Sequence, residues 1–229
     1  MIIVFSILQT GFARTADQST KAAQLLTSGS FEKAAKAYSK IIVDSNSDDG
    51  HVGLVYALIM QDDESKLPTV LSCLKELKLK YPDNPGVQAA AGYACFCIGR
   101  TCPDTNKRID LMEASQNLCI KAIQKNHTMV QPYFTIALAS ADLGDMENSF
   151  EYLRLAYSFA KINSRLMSKR GMAQTCDRPE SEQHYACAIK SLTRKDYFST
   201  EKEFKELLRS LGVAEIYYPH LQKDILDSF

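Results

Sequence analysis

Four histidines, seven cysteines and one row of cations are the residues of this chain whose types could do chemistry. A helical metal site needs ligands three or four residues apart on one face. His51, His127, His184 and His220 are scattered, and none has a second histidine at that spacing. The closest thiols, Cys95 and Cys97, lie about 200° apart on a helix and point away from each other. Cys73, Cys95, Cys97, Cys119 and Cys187 fall inside helical apolar patterns, where a thiol packs as a small apolar group; only Cys102 and Cys176 fall in loops. With no C-x-x-C motif, this usage reads as a reducing compartment and not as a disulfide framework. There is no glycine-rich phosphate loop and no nucleophile elbow. The reading is of a chain that is not an enzyme, with no cofactor and no metal.

Two features stand above that background. Lys161, Arg165 and Lys169, joined by Arg170, make a basic row at i, i+4 and i+8. Such a row is a solvated face, or it meets an acidic partner or RNA. Because Lys+Arg and Asp+Glu balance at 27 each, the chain as a whole makes no electrostatic case for nucleic acid. Aromatic residues gather near the C-terminus: Tyr197, Phe198, Phe204, Tyr217, Tyr218 and Phe229. Most suit core packing, and an exposed Tyr217–Tyr218 pair would make an interface anchor.

The elements that must position these residues are helices. Met146, Phe150, Leu153 and Tyr157 recur at helical spacing after the turn Leu143-Gly144-Asp145, and an apolar helix with Tyr133, Phe134, Ile136 and Ala137 precedes it. Similar hairpins follow from Ala22 to Ile42, from Leu54 to Leu79, from Val87 to Ile123 and from Tyr185 to Leu208. Asp44–Gly50, Arg100–Asp110 and Gly171–Pro179 read as loops, and Tyr81-Pro82-Asp83-Asn84-Pro85 as a stop. The helix after Gly144 shows no break before Gly171 and is expected to run about 25 residues. Gly99 is read as closing the first helix of the third pair. No strand alternation appears, so the class is all-α.

Met1 to Leu8 is almost wholly apolar. It is far shorter than the roughly 20 residues that span a bilayer, and it lacks a basic leader. It is read as a cap over the first repeat or as a signal-like segment. The organisation is therefore residues 1–16 as an N-terminal apolar segment, 17–212 as a helical repeat domain and 213–229 as a C-terminal capping helix.

Superimposing the hairpins puts Gly29, Ser65, Gly99, Gly144 and Lys195 at one turn position, at spacings of 36, 34, 45 and 51 residues. The last two exceed a 34-residue period by 11 and 17, which the irregular segments can absorb. This resembles the tetratricopeptide repeat family over nearly the whole chain. The resemblance is carried by the turn glycines Gly29 and Gly144 and by the residue two further on (Phe31, Met146, Tyr197). It is carried also by the small residue five beyond the turn (Ala34, Ser115, Ser149, Thr200) and by the large residue after it (Tyr38, Leu74, Leu153, Phe204). Small residues Ala22, Ala137 and Ala188 fit where paired helices approach, and Pro82 fits the closing proline. The family tryptophan is absent from every unit.

The resemblance implies a right-handed α-solenoid of about five antiparallel helix pairs. It further implies a non-enzymatic adaptor, scaffold or complex subunit that holds a partner protein or peptide in its concave groove. Tyr93, Tyr133 and His184 are the expected groove-side residues. Relatives that clamp acidic chaperone tails use cations and Asn where this chain has Ser19, Ala23, Gly86 and Ala90, which disfavours that ligand. RNA or nucleoprotein binding through the Lys161–Arg170 row is the alternative, and an accessory domain of an enzyme complex the next. The expected location is the cytoplasm, or outside it if residues 1–16 are a signal peptide.

Overall fold

The computed structural model of the chain describes residues 18–45, 47–61, 63–169 and 179–221. Among these residues every regular element is helical. In chain order they are α1 (residues 18–27), α2 (Phe31–Ser45), α3 (Asp48–Ile59), α4 (Leu67–Lys80), α5 (Pro85–Thr101), α6 (Thr105–Lys125), α7 (Val130–Leu143), α8 (Met146–Lys169), α9 (Pro179–Thr193) and α10 (Tyr197–Ser210). Short 3₁₀ turns cover Glu64–Lys66, Ala214–Tyr217 and Pro219–Leu221. The helices fall into two compact units, dividing between Pro82 and Asp83 inside the expected stop. The apolar segment 1–16, Arg170, the loop expected over residues 171–178 with its Cys176, and Phe229 lie outside the described residues.

One turn recurs. At Gly144 the backbone is left-handed (φ 87°), the Gly144 N–H donates to Ala141 O (3.1 Å), and the Asp145 N–H donates to Ser140 O (2.9 Å). The same two bonds form around Gly29 (φ 81°), to Leu26 O and Leu25 O, and around Lys195 (φ 56°), to Leu192 O and Ser191 O. This is the bonding pattern that satisfies the last carbonyls of a helix while reversing the chain. In two of the three, an aspartate then caps the next helix: Asp145 accepts from the Asn148 N–H and Asp196 from the Ser199 N–H.

Two of the five aligned turn positions differ. Ser65 sits in a 3₁₀ turn, and Gly99 lies inside α5, where Leu111 and Met112 of α6 press on its missing side chain. The expected loops are also shorter than their composition suggests. Arg100–Asp110 contracts to residues 102–104, because Asp104 caps α6 through the amides of Asn106 and Lys107. The extra residues of this unit are helical, hidden from the periodicity because the first turns of α6 are solvated. Asp44–Gly50 contracts likewise: Ser47 caps α3, and Asp48 and Asp49 occupy its first turn. Acids and hydroxyls at a helix start look like a loop by composition.

Within each unit consecutive helices pack on one another: α2 on α3 and α3 on α4 in the first, and α5 on α6, α6 on α7, α7 on α8 and α9 on α10 in the second. The pairs close where backbones come together. Ser115 Oγ donates to Gly92 O (2.7 Å) between α5 and α6, and Ser149 Oγ to Ala137 O (2.8 Å) between α7 and α8. In the first unit a Cβ at Gly53 would overlap the buried ring of Tyr38. Helices α5 and α7 are buried on most of their circumference and touch each other, as small-sided apolar helices must. Helix α8 runs 24 residues, close to the expected length.

Beyond α10 the expected capping helix is two 3₁₀ turns as far as the described residues go. Pro219 has no N–H to donate and disfavours helical backbone at Tyr218, so one helix cannot span both.

Two substitutions test these constraints by urea denaturation. A non-glycine residue in left-handed backbone costs about 1–2 kcal/mol, partly offset by the smaller unfolded-state freedom it brings. Lys195→Gly is therefore expected to stabilise the second unit by about 0.5–1 kcal/mol, and a loss of stability would contradict strain at this turn. Gly53→Ala gains about 1 kcal/mol of helix propensity, but overpacking against a buried ring costs about 1–3 kcal/mol. Net destabilisation of the first unit is expected; a stabilised variant would show that Tyr38 can move aside.

Candidate functional site

A convergence of polar and aromatic groups lies where side chains of α10 meet those of α5 and α7. Phe204 of α10 stacks on Phe134 of α7 with centroids 4.2 Å apart, and Tyr197 meets Phe96 of α5 edge-on at 5.6 Å. Among these rings lies a carboxylate. Glu201 Oε1 accepts hydrogen bonds from the hydroxyls of Tyr93 (2.8 Å) and Tyr217 (3.0 Å) and an ion pair from Lys205 Nζ (2.8 Å). Lys205 Nζ also stands 4.9 Å from the centre of the Tyr217 ring.

Position follows from sequence. Tyr197, Glu201, Phe204 and Leu208 fall at i, i+4, i+7 and i+11, so all four project from one stripe of α10. A glutamate on an apolar stripe must be satisfied or protonated. Burial pushes the Glu201 carboxyl up, but Lys205 and the two tyrosine hydroxyls outweigh it and hold the group below its usual range. Burial first drives the hydroxyls of Tyr93 and Tyr217 well above the ordinary tyrosine value, followed by Cys97 and then Glu201 at Tyr93 and by the Glu201 charge at Tyr217. The cluster is thus an anion held by two neutral donors and one cation.

A second convergence pins the start of α10. Asp142, at the end of α7, accepts from Tyr197 Oη (3.1 Å) and pairs with Arg108 Nε of α6 (3.2 Å), while Lys195 Nζ donates to its carbonyl (3.2 Å). Ser164 of α8 donates to Leu211 O (2.7 Å) just past the other end. Below this, the turn Ala214–Tyr217 packs on α7 and α10, and Pro219–Leu221 packs on α5.

The residues expected in a groove lie elsewhere or under cover. Tyr93 is 2% exposed, beneath Glu201 and Tyr217. Tyr133 faces its own partner helix: its ring stacks on Phe159 at 4.9 Å and its hydroxyl donates to His127 O. His184 is half-buried against Glu203 of α10, with Nδ1 to Oε2 at 2.8 Å. Tyr217 and Tyr218 are 1% and 3% exposed, so they are core residues and not an exposed anchor. In the basic row, Lys161 Nζ lies 5.4 Å from the Tyr157 ring centre and Arg165 is exposed; Lys169 ends α8. The groups that sequence reading missed are Glu201, Lys205, Asp142 and Arg108, and the acid on α10's apolar stripe was a legible signal for the first.

Among the described residues no group of three or more His, Cys, Asp or Glu could hold a metal ion, and no helix is long and apolar enough to cross a membrane. No family model, no curated protein and no solved structure matches the chain.

His220, in the last described turn, gives a pH prediction. Burial lowers its imidazole to about 3 from an ordinary 6.5. The unfolded chain therefore takes up a proton first, and stability present above pH 6.5 is lost as the pH falls toward 3. One such proton is worth about 1.4 kcal/mol per pH unit. His220→Gln is expected to flatten the stability curve between pH 6 and 4 relative to wild type; parallel curves would mean that His220 titrates normally.

Proposed function

We propose that this chain is a non-enzymatic protein-interaction module of the tetratricopeptide-like kind, an adaptor or a subunit of a larger complex. The observation that carries the reading is the recurring left-handed turn at Gly29, Gly144 and Lys195, with the same pair of backbone hydrogen bonds each time. Stacked helical hairpins present extended faces for partner segments in place of a single reactive cleft. Support also comes from the polar clusters, which contain carboxylates already satisfied by Tyr, Lys and Arg and no activated nucleophile. On this reading the chain works in the cytoplasm, with thiols such as the buried Cys119 packing as small apolar groups.

Exposed apolar side chains give the partner its footholds. Ile162 stands beside Lys161 and Arg165 on α8, and Phe198 on α10 is 72% exposed. A photoreactive residue placed at Ile162 or at Phe198, activated in native cells, is expected to capture a discrete protein. Capture of RNA at Ile162 would favour the alternative carried by the basic row. Absence of any specific adduct at both positions would remove the interaction reading.

A further inference from the structure

In an array of stacked hairpins each pair touches its neighbours and no others. Helix α10 breaks that rule. It belongs to the fifth pair, yet it lies on α5 of the third pair as well as on α7 of the fourth. The faces of α5 and α7 that it meets carry Tyr93, Phe96 and Phe134, all three buried, each against a residue of α10 or of the turn after it. The chain's own helix thus sits where stacked pairs would present a face to a ligand.

We propose that α10 is a built-in occupant of the α5–α7 face, and that the face accepts in its place an amphipathic helix of another protein carrying the same pattern. That pattern is an aromatic residue, a glutamate four further on, a phenylalanine three after that, and leucines three and four later (Tyr197, Glu201, Phe204, Leu207, Leu208).

Three observations make α10 a displaceable ligand. Its anchor is a buried carboxylate, and a buried ion pair fixes register more than it adds stability, because desolvation of both charges offsets their attraction. Two hydroxyls from elements 16 and 108 residues away aim at one oxygen, so the face reads a carboxylate at one position and rejects a helix without it. Finally, α9 packs chiefly on α10, buries only Ser181, Ala188 and Leu192 and touches α7 and α8 lightly, so α9 does little to lock the hairpin in place. A partner helix with that pattern would regain the hydrogen bonds from Tyr93 and Tyr217 and the ring contacts with Phe96 and Phe134.

This inference rests on the interaction reading, and its test uses purified protein, so the two can fail separately. The probe is a fluorescein-labelled synthetic peptide with the sequence of residues 196–213, titrated by anisotropy into the full-length chain and into the full-length Glu201→Lys variant. The variant is expected to bind the peptide at least tenfold more tightly than wild type, and a peptide carrying Glu201→Lys is expected to bind neither. Equal or absent binding to a Glu201→Lys chain that keeps its helical circular dichroism overturns the proposal. So does a peptide-insensitive dimer of the variant, which would assign the face to exchange between copies. Should the variant fail to fold, native-state hydrogen exchange on the wild-type chain decides. Amides of residues 200–208 are expected to exchange at least tenfold faster than those of 134–140, and to slow when the peptide is added. Equal protection of both helices, unchanged by peptide, overturns the proposal as well.

Discussion

Everything in this protein depends on how closely two helical backbones can be brought together. Where Ser149 reaches Ala137 O and Ser115 reaches Gly92 O, the side chain at the crossing is small and spends its polar atom on the facing carbonyl. That contact does two jobs. It satisfies a hydroxyl in a dry interface, where an unpaired one would cost about 1–3 kcal/mol, and it fixes the rotation of each helix in its pair. The left-handed turn then needs only to deliver the second helix at the right angle, which is why a lysine can stand where the other turns have glycine.

The second unit uses that rigidity asymmetrically. Helices α5 and α7 have so many small residues that partners can surround them, and they become the axis on which the rest is hung. Helix α8 is long because its second half serves a separate purpose. Asn163 bonds to Thr128 O in the turn before α7, and Ser164 bonds to Leu211 O, tying the α7–α8 pair to the segment that follows α10. The fifth pair consequently departs from simple stacking. Its position is set by rings (Phe134 with Phe204, Phe96 with Tyr197) and by carboxylates (Glu201, Asp142).

Much of the helical framework was legible in the residues. Periodicity located the helices, and Gly144 and Lys195 marked turns whose geometry proved equivalent. Helix starts were harder to read, since Asp104 and Ser47 are caps that resemble loop residues when only composition is weighed. The candidate site was much less legible. Tyr93 was singled out, but a helical register cannot reveal that a carboxylate 108 residues away would cover it. Tyr217 and Tyr218 could be read as surface anchors because part of what buries Tyr217, the rings of Tyr93 and Phe134, comes from helices distant in sequence. Pro219, by contrast, marks the end of regular helix through its own covalent ring, a signal that needs no distant partner.

The separation between Tyr93 and Glu201 also bears on how the chain is made. Most pairings here are between adjacent helices and can form as each hairpin leaves the ribosome. The face of α5 is the exception, because its cover lies 108 residues downstream. At about 5–20 residues per second, translation leaves Tyr93 and Phe96 without α10 for roughly 5–20 s. During that interval the nascent chain displays an aromatic, hydrogen-bond-hungry surface that the finished protein hides, and synthesis itself sets how long other helices have to find it first.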